Sequence, residues 1–215
     1  AQDKDGYLNT FFTIKDTEKR WTNLLEGHEL YCSGHLIEAA CTYYEATGKR
    51  KLLDIAVKNA ECIYDRFVMQ NTEGIPGHPE IELALLRLYR LTENKHFLEL
   101  AKKFINERGK APDFWAREAK KRSWSVWNSD PWDNDYRQSA KPVREQTEAV
   151  GHAVRAVYLY TGMADLAAET EDKELFAACR RLWENIVHRK MYITGGVGSA
   201  HYGERFTFAY HLPNF

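Results

Sequence analysis

The chain has 215 residues, 44% of them apolar, which is enough for one sizeable core in one or two domains. Its 30 Lys and Arg balance 31 Asp and Glu, so it lacks the long-range field that draws a basic protein to nucleic acid or anionic membrane. Neutral sugars or peptides are the better partners, and neither a nucleic-acid nor a membrane partner is expected.

No apolar run approaches the roughly 18 residues of a membrane helix, and no signal peptide opens the sequence. The compartment stays open between cytoplasm and periplasm. Cys32, Cys41, Cys62 and Cys179 form no C-x-x-C pair and fall in helical-looking segments. That pattern predicts buried free thiols.

In chain order, the predicted elements come in pairs. GHLIEAACTYYEA, beginning at Gly34, is amphipathic at helical spacing and leads into Thr47-GKRKLLDIA-Val57. GHPEIELALLRLYRL, from Gly77, leads into Thr92-ENKHFLELA-Lys102, and GHAVRAVYLYTGMADLAAE, from Gly151, into Thr170-EDKELFAAC-Arg180. In each second segment a basic residue stands three after the threonine, an apolar pair at five and six, and Ala or Cys at nine. This placement predicts a helix capped near its threonine. Each first segment opens on Gly-His, at Gly34-His35, Gly77-His78 and Gly151-His152.

Thr47 and Thr92 are 45 residues apart, a spacing that suits stacked helix pairs. Thr92 and Thr170 are 78 apart because an insertion, about 109 to 141, intervenes and carries Trp115, Trp124, Trp127 and Trp132. A loop this long in a helical domain is commonly functional. MYITGG and ERFTFAY near the end read as short extended segments. The fold class is all-α, an array of helical hairpins that forms an open solenoid or half of a closed toroid.

Three histidines, His28, His78 and His152, sit at or near the starts of inner-looking helices, where residues distant in sequence converge on one mouth. Surface or cap roles remain the alternative for any one of them. His28, Cys32 and His35 share a helix face at i, i+4 and i+7, but packing accounts for Cys32 more simply than zinc does. The tryptophans suit either sugar stacking or closure of the insertion onto the hairpins.

GGVGSAHYGERFTF, from Gly195 to Phe208, has neither of the spacings of a phosphate loop. Its Glu204 follows Gly203 and precedes Phe206, Phe208 and Tyr210. An apolar enclosure of this kind raises a carboxyl pKa and suits a general acid, whereas an exposed loop glutamate is only solvated.

HELYCSGHLIEAA (28 to 40), PGHPEIELAL (76 to 85), PVREQTEAVGHAVRA (142 to 156), RRLWENIVHRKMYITGGVGS (180 to 199) and GERFTF (203 to 208) together resemble glycoside hydrolase family 127, whose founding activity is β-L-arabinofuranosidase. The resemblance implies an (α/α)6 barrel, with about half of the toroid present in residues 1 to 215. It implies retaining hydrolysis of β-linked L-arabinofuranose or a related sugar in plant-type glycans, by a cysteine thiolate held on zinc and a glutamate acid/base. Glu204 matches the acid/base motif, and His28, His78 and His152 match the sugar-binding histidines, which leaves His35 structural.

The family's Glu-x-Cys follows its LPN motif, and a run of cysteines comes later. Here the sequence stops at Leu212-Pro213-Asn214-Phe215, and none of the four cysteines matches. The expectation is that zinc belongs to the intact enzyme, with no ligand in this chain, and that the 215 residues alone are inactive. The alternatives are a non-catalytic helical-repeat binding module and a glycosidase of the same fold for another sugar. The oligomeric state stays open.

Overall fold

In a computed structural model, which describes residues 2–214, the chain forms eight α-helices joined by short 3-10 turns, one π-helical turn (Asp65–Met69) and loops. A short α1 (Thr10–Ile14) precedes three hairpins: α2 (Glu29–Thr47) with α3 (Lys51–Tyr64), α4 (Ile81–Thr92) with α5 (Lys95–Glu107), and α7 (Ala153–Thr170) with α8 (Lys173–Arg189). A further helix, α6 (Phe114–Lys121), lies within the insertion.

The inner helices α2, α4 and α7 pack side by side in that order, and α3, α5 and α8 back them. Across α4, the rings of Tyr31 on α2 and Tyr158 on α7 come within 6.4 Å. The row therefore curves toward the face that carries them.

The aligned threonines end helices rather than start them. Thr47, Thr92 and Thr170 are the last residues of α2, α4 and α7, and each hydroxyl donates to the carbonyl four residues back, at 2.6 to 2.7 Å. The next residue turns left-handed: Gly48 at φ 69°, Glu93 at 56° and Glu171 at 52°. Its amide closes the last turn, a C-terminal stop that the three inner helices share. The caps of the outgoing helices are Asn94 and Asp172, whose side chains accept from the amides of His96 and Leu175, while α3 starts from Arg50 without a side-chain cap.

One apolar core runs through all three hairpins. Ile37, Leu53, Ile63, Phe67, Leu85, Phe97 and Phe104 are fully buried in it. Burial of each such side chain contributes about 1.5 to 3 kcal/mol, and this core is what fixes the inner helices relative to one another. Of the thiols, Cys41 is buried and Cys62 and Cys179 are half-buried, but Cys32 is exposed, because it lies on the flank of α2 away from α4's apolar face. Val157, Phe176 and Trp183 likewise stand exposed on the free flank of the third hairpin.

The insertion is more ordered than a loop. Trp115 on α6 is fully buried and donates through Nε1 to the Ser139 hydroxyl at 3.0 Å, so this tryptophan closes the insertion onto the hairpins. The buried Arg108 guanidinium donates to the carbonyls of Arg137 (2.9 Å) and Pro76 (2.7 Å) and pairs with Glu82 at 3.2 Å. It thus ties the end of α5 and the insertion to the segment that leads into His78. The two short extended segments form no strand among the described residues. MYITGG and ERFTFAY make only isolated bridges, Met191 with Val197 and Arg205 with Ala200 and His152. No neighbouring strand is there to extend them.

Candidate active site

The loops before α2, α4 and α7 deliver His28, His78 and His152 to one end of the inner row. Ring centroids are 5.9 Å apart for His28 and His78, and 5.8 Å for His78 and His152. Each is set by its own backbone. His28 is the N-cap of α2 in a left-handed conformation (φ 55°), and its Nδ1 lies 2.7 Å from the Glu26 carbonyl. His78 Nδ1 lies 2.7 Å from the Pro79 carbonyl. A carbonyl only accepts, so both rings carry hydrogen on Nδ1 and present Nε2 as an acceptor.

His152 is the opposite tautomer. As N-cap of α7, its Nδ1 accepts from the Arg155 amide at 3.2 Å, which puts the hydrogen on Nε2. That Nε2–H donates to Glu204 Oε2 at 2.9 Å. Burial lowers the pKa of all three rings, and the Arg155 charge adds to the effect; His78 falls to about 3. The three histidines are therefore neutral at neutral pH.

Glu204 reaches His152 because its loop is stitched to the start of α7. The Phe206 amide donates to the Gly151 carbonyl at 2.8 Å, and Arg205 bridges to His152. Gly203 (φ 71°) and Glu204 (φ 49°) are both left-handed, a turn that a glycine adopts freely and a glutamate at a cost. Gly151 is required as well: its φ is 70°, and a Cβ there would lie 1.9 Å from the Asp135 carbonyl oxygen. Of the two readings of Glu204, apolar enclosure or an exposed loop glutamate, the structure shows the exposed one. Its side chain is 74% exposed, and of the three aromatic residues that follow, only Phe206 turns inward.

Two residues that sequence reading missed hold this end together. The buried Arg155 donates from Nε to the Gly77 carbonyl at 3.3 Å while its amide caps His152, and so joins the His78 and His152 segments. Its guanidinium lies 4.5 Å from the Tyr136 ring centroid, and that of Arg205 lies 4.6 Å from the same centroid. Arg205 also pairs with Asp133. The Arg155-to-Glu204 spacing in sequence gives no sign of this cluster, because Tyr136 and Asp133 come from the insertion.

Two turns along α2 from His28, the His35 ring packs 4.4 Å from Tyr31, and its Nδ1 lies 3.4 Å from the buried Glu80 carboxyl. The Gly34-His35 pair is inside α2, whereas the other two Gly-His pairs precede their helices.

The model of the β-L-arabinofuranosidase catalytic domain of glycoside hydrolase family 127 matches residues 1–215, the whole chain. The chain belongs to this family. A non-reducing end β-L-arabinofuranosidase of Bifidobacterium longum subsp. longum is 42% identical over 100% of the chain and 34% of its own length. The crystal structure of a family 127 β-L-arabinofuranosidase from Geobacillus stearothermophilus T6 is 51% identical, with a TM-score of 0.92 over 99% of this chain and 34% of that one. A second solved family 127 β-arabinofuranosidase is 43% identical, with a TM-score of 0.84 over 100% of this chain and 32% of that one. The chain thus spans about a third of the length of these relatives.

The zinc that the family resemblance implies does not fit the residues at this site. Among the described residues, no three His, Cys, Asp or Glu side chains group as a metal would require. Burial pushes the thiols of Cys62 and Cys179 up to about 11 and that of Cys41 to about 12, which disfavours the thiolate that binds a metal.

Proposed function

We propose that this chain forms the acid/base side of a retaining glycosidase site that releases β-linked L-arabinofuranose, or a close relative, from plant-type glycans. The observation that carries the reading is the Glu204–His152 hydrogen bond at one end of a row of neutral histidines. The names of the family 127 relatives support the sugar.

His28 and His78 each offer an Nε2 lone pair, so each accepts from a sugar hydroxyl without introducing charge. His152 occupies Glu204 Oε2 with its Nε2–H, which leaves Oε1 to exchange a proton with the substrate. In the first step Glu204 gives that proton to the leaving oxygen, and in the second it takes one from water. The exposure of Glu204 admits both the leaving group and the water. The group that receives the sugar covalently is assigned to no residue of this chain.

Glu204→Gln in the intact protein keeps the shape and the hydrogen bond but removes the transferable proton. Hydrolysis of arabinofuranosides with poor, alkyl-type leaving groups should fall about 100- to 10,000-fold, while aryl substrates with acidic leaving groups fall far less in the first step. Equal rates for variant and wild type on poor leaving groups would remove Glu204 from the chemistry. Sugar binding without turnover by the wild-type protein would favour the binding-module reading.

A further inference from the structure

The proposed reaction uses Glu204 and the histidines but leaves the tryptophans of the insertion without a role. Trp115 is structural, and Trp124 donates from Nε1 to the Thr22 hydroxyl at 3.0 Å and packs on Phe12. Trp127 differs. It is 61% exposed, yet the loop that carries it is tied to the body of the protein by hydrogen bonds.

The anchor is Glu26. Its carboxylate, fully buried, accepts from the Val126 amide, the Ser129 amide and the Ser125 hydroxyl, each at 2.7 Å. It also accepts from the Asn23 side chain at 3.2 Å. The backbone carbonyl of the same residue orients His28 at Nδ1. One residue therefore positions both a pocket histidine and the loop that bears Trp127, and their rings meet edge to face at 5.2 Å.

Trp127, His28, His78 and His152 thus form a continuous row, with Glu204 at the far end. Beside Trp127 and His28 a groove of about 890 Å³ opens, walled by Phe11, Phe12, Leu36 and Trp124. Lys19 at its rim lies 5.5 Å from the Trp124 ring. An exposed indole on an anchored loop, at the end of a row of neutral hydrogen-bonding rings and beside an apolar groove with a polar rim, matches the two-sided chemistry of a sugar: C–H face on the ring, hydroxyls on the rim.

We propose that Trp127 is the platform of a second saccharide subsite, which stacks on a sugar ring adjoining the one held by His28, His78 and His152. The inference rests on the glycosidase reading for the identity of the sugar. Two pocket histidines separate Trp127 from His152, so a single furanose at the Glu204 end leaves Trp127 uncovered and a disaccharide covers it.

The test is calorimetric titration of the full chain with methyl β-L-arabinofuranoside and with a β-linked L-arabinofuranosyl disaccharide. The disaccharide should bind more tightly by roughly three- to tenfold, the range of one aromatic stacking contact. Trp127→Ala should abolish that gain and leave the monosaccharide affinity unchanged, and Trp127→Phe should restore part of it, with circular dichroism unaltered throughout. Equal affinities for the two sugars, binding of neither, or an equal loss of both in Trp127→Ala would overturn the subsite. If the monosaccharide binds and Glu204 proves catalytic but the disaccharide gains nothing, only the subsite fails. A disaccharide gain that depends on Trp127, when the intact protein shows no turnover, would retain the subsite and refute the glycosidase reading.

Discussion

His152 stands between two partners that determine its chemistry: its Nδ1 accepts from the Arg155 amide at 3.2 Å, and its Nε2 donates to Glu204 at 2.9 Å. The helix cap chooses the tautomer, and the tautomer chooses which atom faces the carboxylate. Helix α7 thereby sets the orientation of a side chain 52 residues away.

Imidazole nitrogen NMR spectra at neutral pH should therefore show His152 protonated on Nε2, with His28 and His78 protonated on Nδ1. In Glu204→Gln the His152 pKa should fall further, since the Glu204 carboxylate raises it against burial and Arg155. An unchanged titration of His152 would show that the contact does not persist in solution.

Gly151→Ala should disrupt the same end of the molecule. The substitution demands φ 70° from an alanine and drives its Cβ into the Asp135 carbonyl, which must shift. A loss of at least about 1 to 3 kcal/mol is expected, read by urea denaturation, and sugar affinity should fall with it because the Phe206 amide bonds the Gly151 carbonyl. A wild-type unfolding midpoint would contradict this account.

Arg108 and Glu82 are both fully buried. Arg108→Ala leaves the Glu82 carboxyl without its cation and frees the Pro76 and Arg137 carbonyls, so a destabilisation of about 3 to 5 kcal/mol is expected. Arg108→Met combined with Glu82→Leu should recover part of the loss, because neither side chain then requires a partner. Equal losses for the single and double variants would show that the carbonyl contacts, not the charge, carry the cost.

Burial raises the Glu29 carboxyl to about 7 from an ordinary 4.5, although the Tyr7 hydroxyl and the Trp21 amide both donate to it. The folded state then holds a proton that the unfolded chain has released, so this group's contribution is greatest below about pH 4.5 and is lost as pH rises to about 7. Glu29→Gln should gain on the wild type over that interval, whatever the other groups contribute. Thermal melts of the two proteins should converge or cross as pH rises, and a constant gap would refute the shift.

Several of these relationships were legible before folding, and others were not. The hairpin periodicity, the apolar stripes and the recurring threonine reflect helical spacing, a local property that a sequence displays directly. The threonine's place at a helix end is not legible in the sequence, because Thr caps by accepting at a start but bonds back to the i−4 carbonyl at an end, and composition does not distinguish the two. The exposure of Glu204 stays open in the sequence for a related reason: an aromatic run encloses a side chain only if the backbone turns those rings inward, and Phe208 and Tyr210 point out.

By itself the sequence determined the all-α hairpin array, the family and the four residues, His28, His78, His152 and Glu204, that stand together in the site. Helical period and motif order are encoded along the chain and need no partner from elsewhere. Tertiary structure alone decided the tautomers, the Arg155–Tyr136–Arg205 cluster and the attachment of Trp127 to His28 through Glu26. Each of these joins segments from different hairpins or from the insertion, and such contacts exist only once the core has brought those segments within hydrogen-bonding distance.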